Sequence, residues 1–249
     1  MKKLTVGKFE IRLMEKTDAE LKQVQAFRYQ YLLRDYNPGL PLEGFDDDGY
    51  DEFSDSLLVI DTEKNIIVGT YRLATPQTIK DAKYLTEFEY DITPLKQSGQ
   101  GFVELGRAAV HPDYRNGFVI QLLFLGLYNY AVENGCQYMI GLCSFHGIDP
   151  TLYPHAMMYL KKEYLSPDFK IHAINKPFSF DMIKEDELDY TLAKEQMPGL
   201  LRMYLNLGAK VGCDGFIDEE FKSCDVLILT NVSQINMRYL ERIMRIKVS

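Results

Sequence analysis

The chain has 249 residues, enough for one large domain or two small ones with a substantial core. With 46% hydrophobic and 26% charged residues, its composition is that of an ordinary globular protein. The formal net charge of −8 argues against broad nucleic-acid binding, which needs a basic face, but it is compatible with a local basic patch. The four cysteines form no C-x-x-C pair, so the sequence predicts neither a zinc site nor a disulfide framework and favours a reducing compartment.

The first half of the chain predicts strands and helices in alternation. Thr17, followed three residues later by Glu20, fits the pattern of a capping box and predicts the start of a helix, and the NPG triplet at 37–39 predicts its end. Gly135 suits the residue after a helix end. The predicted elements are a strand at 8–15, the helix after Thr17, a hairpin of strands at 56–61 and 66–73, a strand at 101–110 and an apolar helix over 118–134.

The second half continues the pattern with less regularity. A strand is predicted at 137–145, a helix capped by Asp149 through about 164, a helix over 198–207 and a strand at 225–230. The segment 166–194 gives no clear prediction. Because no linker is evident, we expect one α/β domain over 1–249, with a mixed sheet, helices on both faces and a partly helical insertion around 150–200.

No segment is typical of a membrane span. The longest apolar stretch, which begins at Phe118, is too short and too polar to cross a bilayer. Charged residues near the N-terminus interrupt anything like a signal peptide. The last residues, from Asn236, mix apolar and basic side chains; they predict a packed helix, with contact to an anionic membrane surface as the alternative. We therefore expect a cytoplasmic protein, with peripheral contact to the inner membrane face left open.

The stretch VELGRAAVHPDYRNG, at 103–117, places Glu104 and Arg107 in an apolar strand. In a regular strand the two side chains face opposite sides, but Gly106 permits a bulge that would bring them together. A structural ion pair or surface placement is one interpretation, and a proton-handling site is the other. The turn that follows, with Arg115 and Gly117, leads into a helix and suits a single phosphate, because it lacks the repeated glycines of a diphosphate site.

Two other groups of residues suggest chemistry less strongly. The acidic run DDDGYDEFSD, at 46–55, fails as a calcium loop because Gly44 would stand at the first ligand position, so no metal site is predicted. Two interpretations of this acidic run are left: a solvated loop, or a site that holds a cationic amine. Cys143 and Ser144 lack a third group to orient a nucleophile, and lining of the core or of a pocket is the better interpretation. Met157 suits the core or the wall of a lipid tunnel.

Taken in order, the motifs resemble a known family. The series consists of AFRYQYL with Arg28, D-x-D-x-Y-D from Asp46 to Asp51, SLLVID, VGTYRL, ELGRAAVHPDYRNG, GLCSFHGIDP and a C-terminal LLRMYLNLGAKVGCDGFIDEEFKSCDVLIL. It resembles the GNAT-like N-acyltransferases typified by the ornithine–acyl carrier protein N-acyltransferases of ornithine-lipid synthesis. The N-acyl amino acid synthases are close relatives, and the acyl-homoserine lactone synthases are more distant ones. The resemblance runs from about residue 20 to 230.

The resemblance implies a GNAT-type fold, whose splayed central strands hold an acyl thioester, and an N-acyltransferase activity. The donor would be a long-chain acyl group on the phosphopantetheine of acyl carrier protein, or on coenzyme A, with no permanently bound cofactor. The acceptor would be the amine of ornithine or a similar amino acid, giving an N-acyl amino acid. The resemblance implies Glu104 as the catalytic residue, in the role of base, and Arg28, Asp48, Asp51, Arg72 and Arg107 at the acceptor. There we expect the two aspartates to hold the cationic acceptor, and the three arginines to bind its carboxylate or to organise the acidic cluster. We further assign Arg115, Asn116 and Gly117 to the phosphopantetheine, and Cys143, Ser144, Phe145 and Met157 to the acyl pocket.

Acyl carrier protein is thus an implied partner, with Arg115, Lys161 and Lys162 as a docking patch for its acidic surface. The alternatives are an acyl-homoserine lactone synthase-like enzyme and a non-catalytic acyl-carrier or lipid-binding module. Two departures from the family pattern affect the acceptor more than the reaction class. Ser56 stands where relatives commonly have His, and ELGR replaces the more usual ELSR.

Overall fold

The computed structural model describes residues 1–238. They form two compact units: Met1–Ala82 with Gly101–Gln137, and Lys83–Gln100 with Tyr138–Asn236. Within the described part no helix is both long and apolar enough to cross a membrane. The predicted C-terminal helix from Asn236 falls almost wholly outside the described residues, and the single domain over 1–249 stays a prediction.

The first unit is built on an antiparallel sheet. Its strands, in spatial order, are β1 (Leu4–Val6), β2 (Phe9–Leu13), β3 (Asp55–Asp61), β4 (Ile66–Ala74) and β5 (Phe102–Val110). The predicted hairpin is confirmed as β3 and β4. Asn65, at φ 54°, and the Asp61 carboxylate, which accepts from the N–H groups of Glu63 and Lys64, shape its turn. β1 is only three residues long, too short for periodicity to predict.

The helices of the described residues are distributed over both units. They are α1 (Asp18–Arg28), α2 (Arg34–Tyr36), α3 (Pro76–Ile79), α4 (Thr93–Gln97), α5 (Phe118–Glu133), α6 (Pro154–Tyr164), α7 (Tyr190–Gln196) and α8 (Gly199–Asn206). A π-helical turn, Tyr29–Leu33, joins α1 to α2. Such turns are rare and occur frequently at functional sites.

Helix α5 packs on one face of this sheet through two glycines. A Cβ atom at Gly69 of β4 would lie 2.7 Å from Val119 Cγ1, and one at Gly126 of α5 would lie 2.8 Å from Leu57 Cδ2. Because real Cβ atoms do not approach so closely, larger residues at either position would push helix and sheet apart. Gly135 has φ 66° just after α5, so the predicted helix end is confirmed.

Helix α1 lies over the other face, near β4 and β5. The predicted cap is confirmed, because Thr17 Oγ1 accepts from the Glu20 N–H at 3.3 Å. The reciprocal half of the capping box is wrong: the Glu20 carboxylate instead accepts from Arg12, 3.1 Å from Nη1. An arginine on neighbouring β2 competes more strongly for this carboxylate than the N-cap N–H does.

The strands of the second unit also pair antiparallel, in the order β6 (Tyr138–His146), β9 (Ser223–Asn231), β8 (Lys210–Asp218), β7 (Pro177–Phe178). The predicted strands β6 and β9 and helix α8 are confirmed. Asp149, however, caps a short 3₁₀ turn, Pro150–Leu152, and α6 begins separately at Pro154. The sequence analysis did not predict β8, whose two glycines and two aspartates weaken its strand signal.

Asp225, in the middle of β9, is a buried carboxyl group whose charge opposes folding. Burial raises its pKa to about 6 and outweighs the nearby hydroxyls of Ser223 and Ser144. The unfolded chain loses this proton near pH 4, so between about pH 4 and pH 6 the folded state binds more protons than the unfolded state. Stability from this group is therefore present at low pH and lost as the pH rises through the folded pKa.

Asp225→Asn is expected to raise the free energy of unfolding by about 2 kcal/mol at about pH 8 and to change it little at about pH 3, where the Asp225 carboxyl group is neutral in both the folded and the unfolded state. Urea denaturation of both proteins at the two pH values measures the difference. Since all other groups titrate alike in the pair, an equal effect at both pH values would contradict the buried charge.

Candidate active site

Strand β5 carries a bulge between Gly106 and Ala109, in the stretch that holds Glu104 and Arg107. Thr70 pairs with Ala109 and Arg72 pairs with Gly106, so two steps along β4 match three along β5. The predicted bulge is confirmed, but the strained backbone is at Arg107, with φ 52°, and not at Gly106. A residue other than glycine in this region costs about 1–3 kcal/mol, which the contacts of its side chain must offset.

The bulge brings Glu104 and Arg107 to the same side of the sheet. Glu104 pairs with Ala74, two residues beyond Arg72, so alternation places Glu104 and Arg72 on one face, away from α5. Arg107 reaches the same aspartate as Arg72, at Asp48. Glu104 is 7% exposed. This stretch therefore places a buried carboxyl group on the same face of the sheet as two guanidinium groups.

Arg28, at the end of α1, is the centre of a buried charge network. Its guanidinium is fully buried and donates two hydrogen bonds to Asp51, at 2.6 and 2.7 Å, in the bidentate geometry that arginine favours. It also donates to the Asp46 backbone oxygen, and Nε lies 2.8 Å from Asp46 Oδ2. Gln25, one turn earlier, donates to Asp51 at 3.1 Å.

Asp48 joins the two arginines of the sheet. Arg72 Nη1 donates to both of its oxygens, at 2.7 and 2.8 Å, and Arg107 Nη2 donates to Oδ2 at 2.9 Å. Arg107 Nε also donates to Asp46, at 3.1 Å, which ties Arg107 to the group around Arg28. Ser56, one of the departures from the family pattern, lies directly opposite Arg72 on β3.

The three arginines and three aspartates form a network with no net charge. Burial raises the pKa of Asp48, but hydrogen bonds and charge from Arg72 and charge from Arg107 outweigh it and lower the pKa to about 2. The pKa of Asp51 is also lowered, because Arg28 outweighs its burial. Both carboxylates are therefore ionised and already paired. Within residues 1–238, no His, Cys, Asp or Glu cluster has a metal-binding arrangement.

Two members of this network were missed as site residues in the sequence analysis. Asp46 is 3% exposed and bridges Arg28 to Arg107, and Gln25 is 2% exposed. The signal for Asp46 was its place as the first Asp of D-x-D-x-Y-D. Gln25 gave none, because a glutamine in a helix is ordinarily a surface residue.

The turn at 115–117 prepares the N-terminus of α5. Gly117 is in the left-handed region at φ 87°, and Asn116 Oδ1 accepts from the Phe118 N–H at 3.1 Å. The Arg115 guanidinium is bound internally: it donates to the Val110 and Tyr31 backbone oxygens and pairs with Asp35. An anion here would thus meet mainly the remaining first-turn N–H groups of α5.

Tyr114 anchors this turn to the sheet. Its hydroxyl donates to buried Asp61 Oδ2 at 2.7 Å, and Lys8 Nζ lies 2.7 Å from the same oxygen. Burial raises the Asp61 pKa, but the hydrogen bonds from Lys8, Tyr114 and the Lys64 N–H outweigh it and lower the pKa to about 2. The hairpin end therefore fixes where α5 begins.

The basic residues expected to dock a carrier protein have acidic partners within their own units. Lys161 pairs with Asp181, Lys162 pairs with Glu185 at 2.8 Å, and Arg115 pairs with Asp35 at 2.5 Å. Their positive charge is largely compensated, so they do not form the uncompensated patch that the sequence suggested.

The residues assigned to the acyl pocket are not all on one surface. Cys143 and Phe145 alternate with Ser144 along β6, so they face one side of the sheet and Ser144 the other. Met157 is fully buried in α6. Burial raises the pKa of the Cys143 thiol well above its usual range, which removes it as a nucleophile. Acyl-pocket roles for these residues stay predictions.

Comparison with known proteins connects this geometry to a family. The acetyltransferase (GNAT) domain model matches residues 27–125. The chain is 32% identical to an L-ornithine N(alpha)-acyltransferase of Agrobacterium fabrum, over 94% of this chain and 85% of that protein. It is 30% identical to the protein of the same name from Brucella abortus, over 94% and 88%.

Solved structures support the same fold at low sequence identity. An N-acyl amino acid synthase from uncultured soil microbes has a TM-score of 0.51 and 12% identity, over 92% of this chain and 97% of that chain. An acyl-CoA N-acyltransferase from Pseudomonas aeruginosa has a TM-score of 0.50 and 10% identity, over 89% and 98%. The predicted GNAT-type α/β fold is thus confirmed. The chain belongs to the family of the L-ornithine N(alpha)-acyltransferases and is an acyltransferase.

Proposed function

We propose that this enzyme transfers a long-chain acyl group from the phosphopantetheine thioester of acyl carrier protein to the α-amine of L-ornithine or a closely similar amino acid. The observation that carries the proposal is the similarity, over 94% of the chain, to relatives named for that acceptor. The buried Glu104 beside the arginine–aspartate network supplies the acid–base and carboxylate-binding groups such a reaction needs.

Glu104 is the proposed base. An amino acid's amine is mostly protonated at neutral pH, and only the free amine attacks a thioester. In the proposed reaction Glu104 removes this proton, directly or through water. The nitrogen then forms a bond to the thioester carbon and the carbon–sulfur bond breaks. The second proton that the nitrogen loses ends on the departing thiolate, and Glu104 passes the first one to solvent. The products are the N-acyl amino acid and the free thiol of the donor.

The network of Arg28, Arg72, Arg107 and the aspartates has a revised role in this proposal. Asp48 and Asp51 are saturated by arginines, so they hold those arginines in place and do not bind the acceptor's cation. Arg28 is fully buried and therefore a positioning residue. The proposed partners of the acceptor's carboxylate are Arg72, on the strand next to Glu104, and Arg107, on the same strand as Glu104.

The donor's phosphate is assigned to the turn before α5. Asn116 and Gly117 shape the helix N-terminus, and Arg115, whose charge Asp35 largely compensates, lies next to it in the chain. One helix N-terminus accommodates the single phosphate of phosphopantetheine more readily than the several phosphates of coenzyme A. Acyl carrier protein is therefore the proposed donor.

The test is an acceptor and donor panel. Purified protein is mixed with long-chain acyl carrier protein, or the matching acyl coenzyme A, and with L-ornithine, L-lysine, glycine or 1,4-diaminobutane. We expect an amide with L-ornithine, formed faster from the carrier protein, and a poor reaction of the diamine, which lacks a carboxylate. No amide with any amine would overturn the proposal. A lactone product from S-adenosylmethionine in the same assay would favour the homoserine lactone alternative.

A further inference from the structure

Gly106 on β5 is a glycine that the fold itself does not require. Its backbone is outside the left-handed region. A Cβ atom built there would meet no heavy atom of the described residues within 4 Å, its two chain neighbours apart. Gly69 on the adjacent strand is the contrast, because a Cβ there would lie 2.7 Å from Val119. Gly106 therefore borders open space that an ordinary side chain would enter.

This space is flanked by the groups proposed for the reaction. Gly106 pairs directly with Arg72, and the side chains of such opposed residues lie about 4.5–5.5 Å apart at Cβ. Glu104 lies two residues before Gly106 and faces the same side. Arg107, the next residue, is held over this face by Asp46 and Asp48.

Arg72 brings a hydrogen-bond donor that the described residues leave unused. The side chain is 4% exposed, and its Nη1 is held by Asp48. Its Nη2 is buried and has no hydrogen-bond partner among residues 1–238. Thr70, two residues earlier on the same face, has a buried hydroxyl group that also has no hydrogen-bond partner among residues 1–238. A buried unpaired polar group destabilises the folded protein, and a bound ligand with an acceptor oxygen would remove that destabilisation.

We propose that the space beside Gly106 is the seat of the acceptor's α-carbon and carboxylate, with Arg72 Nη2 as donor to the carboxylate, so that Gly106 determines acceptor specificity. In an α-amino acid the amine and the carboxylate share one carbon. Glu104 and Arg72 are diagonal neighbours on one face, with Cβ atoms about 7 Å apart, so their long side chains can converge on the amine and the carboxylate of one carbon placed between them. The inference rests on the proposed function and adds the residue that sets the size of its acceptor site.

Gly106→Ala tests the inference, because the added methyl group enters the space without strain. The variant is expected to fold with unchanged or slightly raised Tm, since the unfolded chain loses conformational freedom. The KM for L-ornithine should rise at least about tenfold, while the KM for the acyl donor stays as in the wild type. The matched control is Gly199→Ala at the exposed start of α8, where a Cβ meets only Arg202 Nη2 at 3.9 Å. It should change neither constant.

The possible outcomes distinguish a failure of the role of Gly106 from a failure of the proposed function. An active wild type with the same acceptor KM in Gly106→Ala would overturn this inference and leave the proposed function standing. A destabilised Gly106→Ala would also overturn it, because the space would then not be open. A wild type that acylates no amino acid would overturn the proposed function itself.

Discussion

Glu104→Gln is expected to lower kcat by about 10²- to 10⁴-fold, the usual contribution of a positioned base. Glutamine keeps the size and the hydrogen-bonding shape of glutamate but accepts no proton. The acceptor would then have to lose its ammonium proton to water before it attacks the thioester. Because Glu104 is 7% exposed, bulk water is a poor substitute. Release of the donor thiol, followed with a chromogenic disulfide at saturating donor and acceptor, measures kcat.

The matched control for this variant is Glu195→Gln on the exposed surface of α7, which changes the net charge equally. It should retain wild-type kcat. Urea denaturation and circular dichroism of Glu104→Gln establish that the fold is intact. Full activity in a folded Glu104→Gln protein would rule out Glu104 as the base and leave only a structural role for it.

Arg28→Gln is expected to lower the free energy of unfolding by about 3–5 kcal/mol, the cost of leaving buried charges without their partner. Arg28 is fully buried, and Asp51 and Asp46 both depend on it. The Arg28 guanidinium keeps its charge: burial acts to lower its pKa, but the hydrogen bonds that it donates to Asp51 and the aspartate charges outweigh burial and raise the pKa. Such a loss is a large share of the stability of most domains.

Equilibrium urea denaturation measures this effect, with Arg202→Gln as the control. Arg202 is exposed on α8, and its Nη1 donates only a long bond, 3.3 Å, to the Lys194 backbone oxygen. The control should lose less than about 0.5 kcal/mol, as surface substitutions usually do. A comparably small loss in Arg28→Gln would show that the buried network contributes little to folding.

In the bulged strand β5, the sequence predicted the bulge but not the residue that carries its backbone strain. Alternation of side chains made Glu104 and Arg107 incompatible on a flat strand, so a bulge was predictable from residues alone. The residue with the strained backbone was not predictable. Glycine tolerates such a conformation best, so Gly106 was the expected residue, but Arg107 adopts it. The cause is tertiary: Asp46 and Asp48 hold the Arg107 guanidinium, and they lie 61 and 59 residues away in the chain.

The sequence also did not predict which charged side chains are paired with each other in the folded protein. The sequence identified Arg115, Lys161 and Asp48 as charged residues available to ligands. In the structure each is paired, with Asp35, Asp181 and two arginines respectively. Pairing of residues far apart in the chain depends on packing, which periodicity and motif spacing do not encode. Elements with strong periodicity, such as β3, β4 and α5, were predictable within a residue or two.

The most direct test of the central claim is to locate the acyl group on the product. L-ornithine carrying ¹⁵N only at its α-amine is incubated with the wild-type protein and long-chain acyl carrier protein, and the amide is fragmented in a mass spectrometer. We predict that the ¹⁵N atom is in the amide bond. An acyl group on the unlabelled side-chain nitrogen, or the absence of any amide, would contradict a site in which Glu104 and Arg72 hold the amine and carboxylate of one carbon.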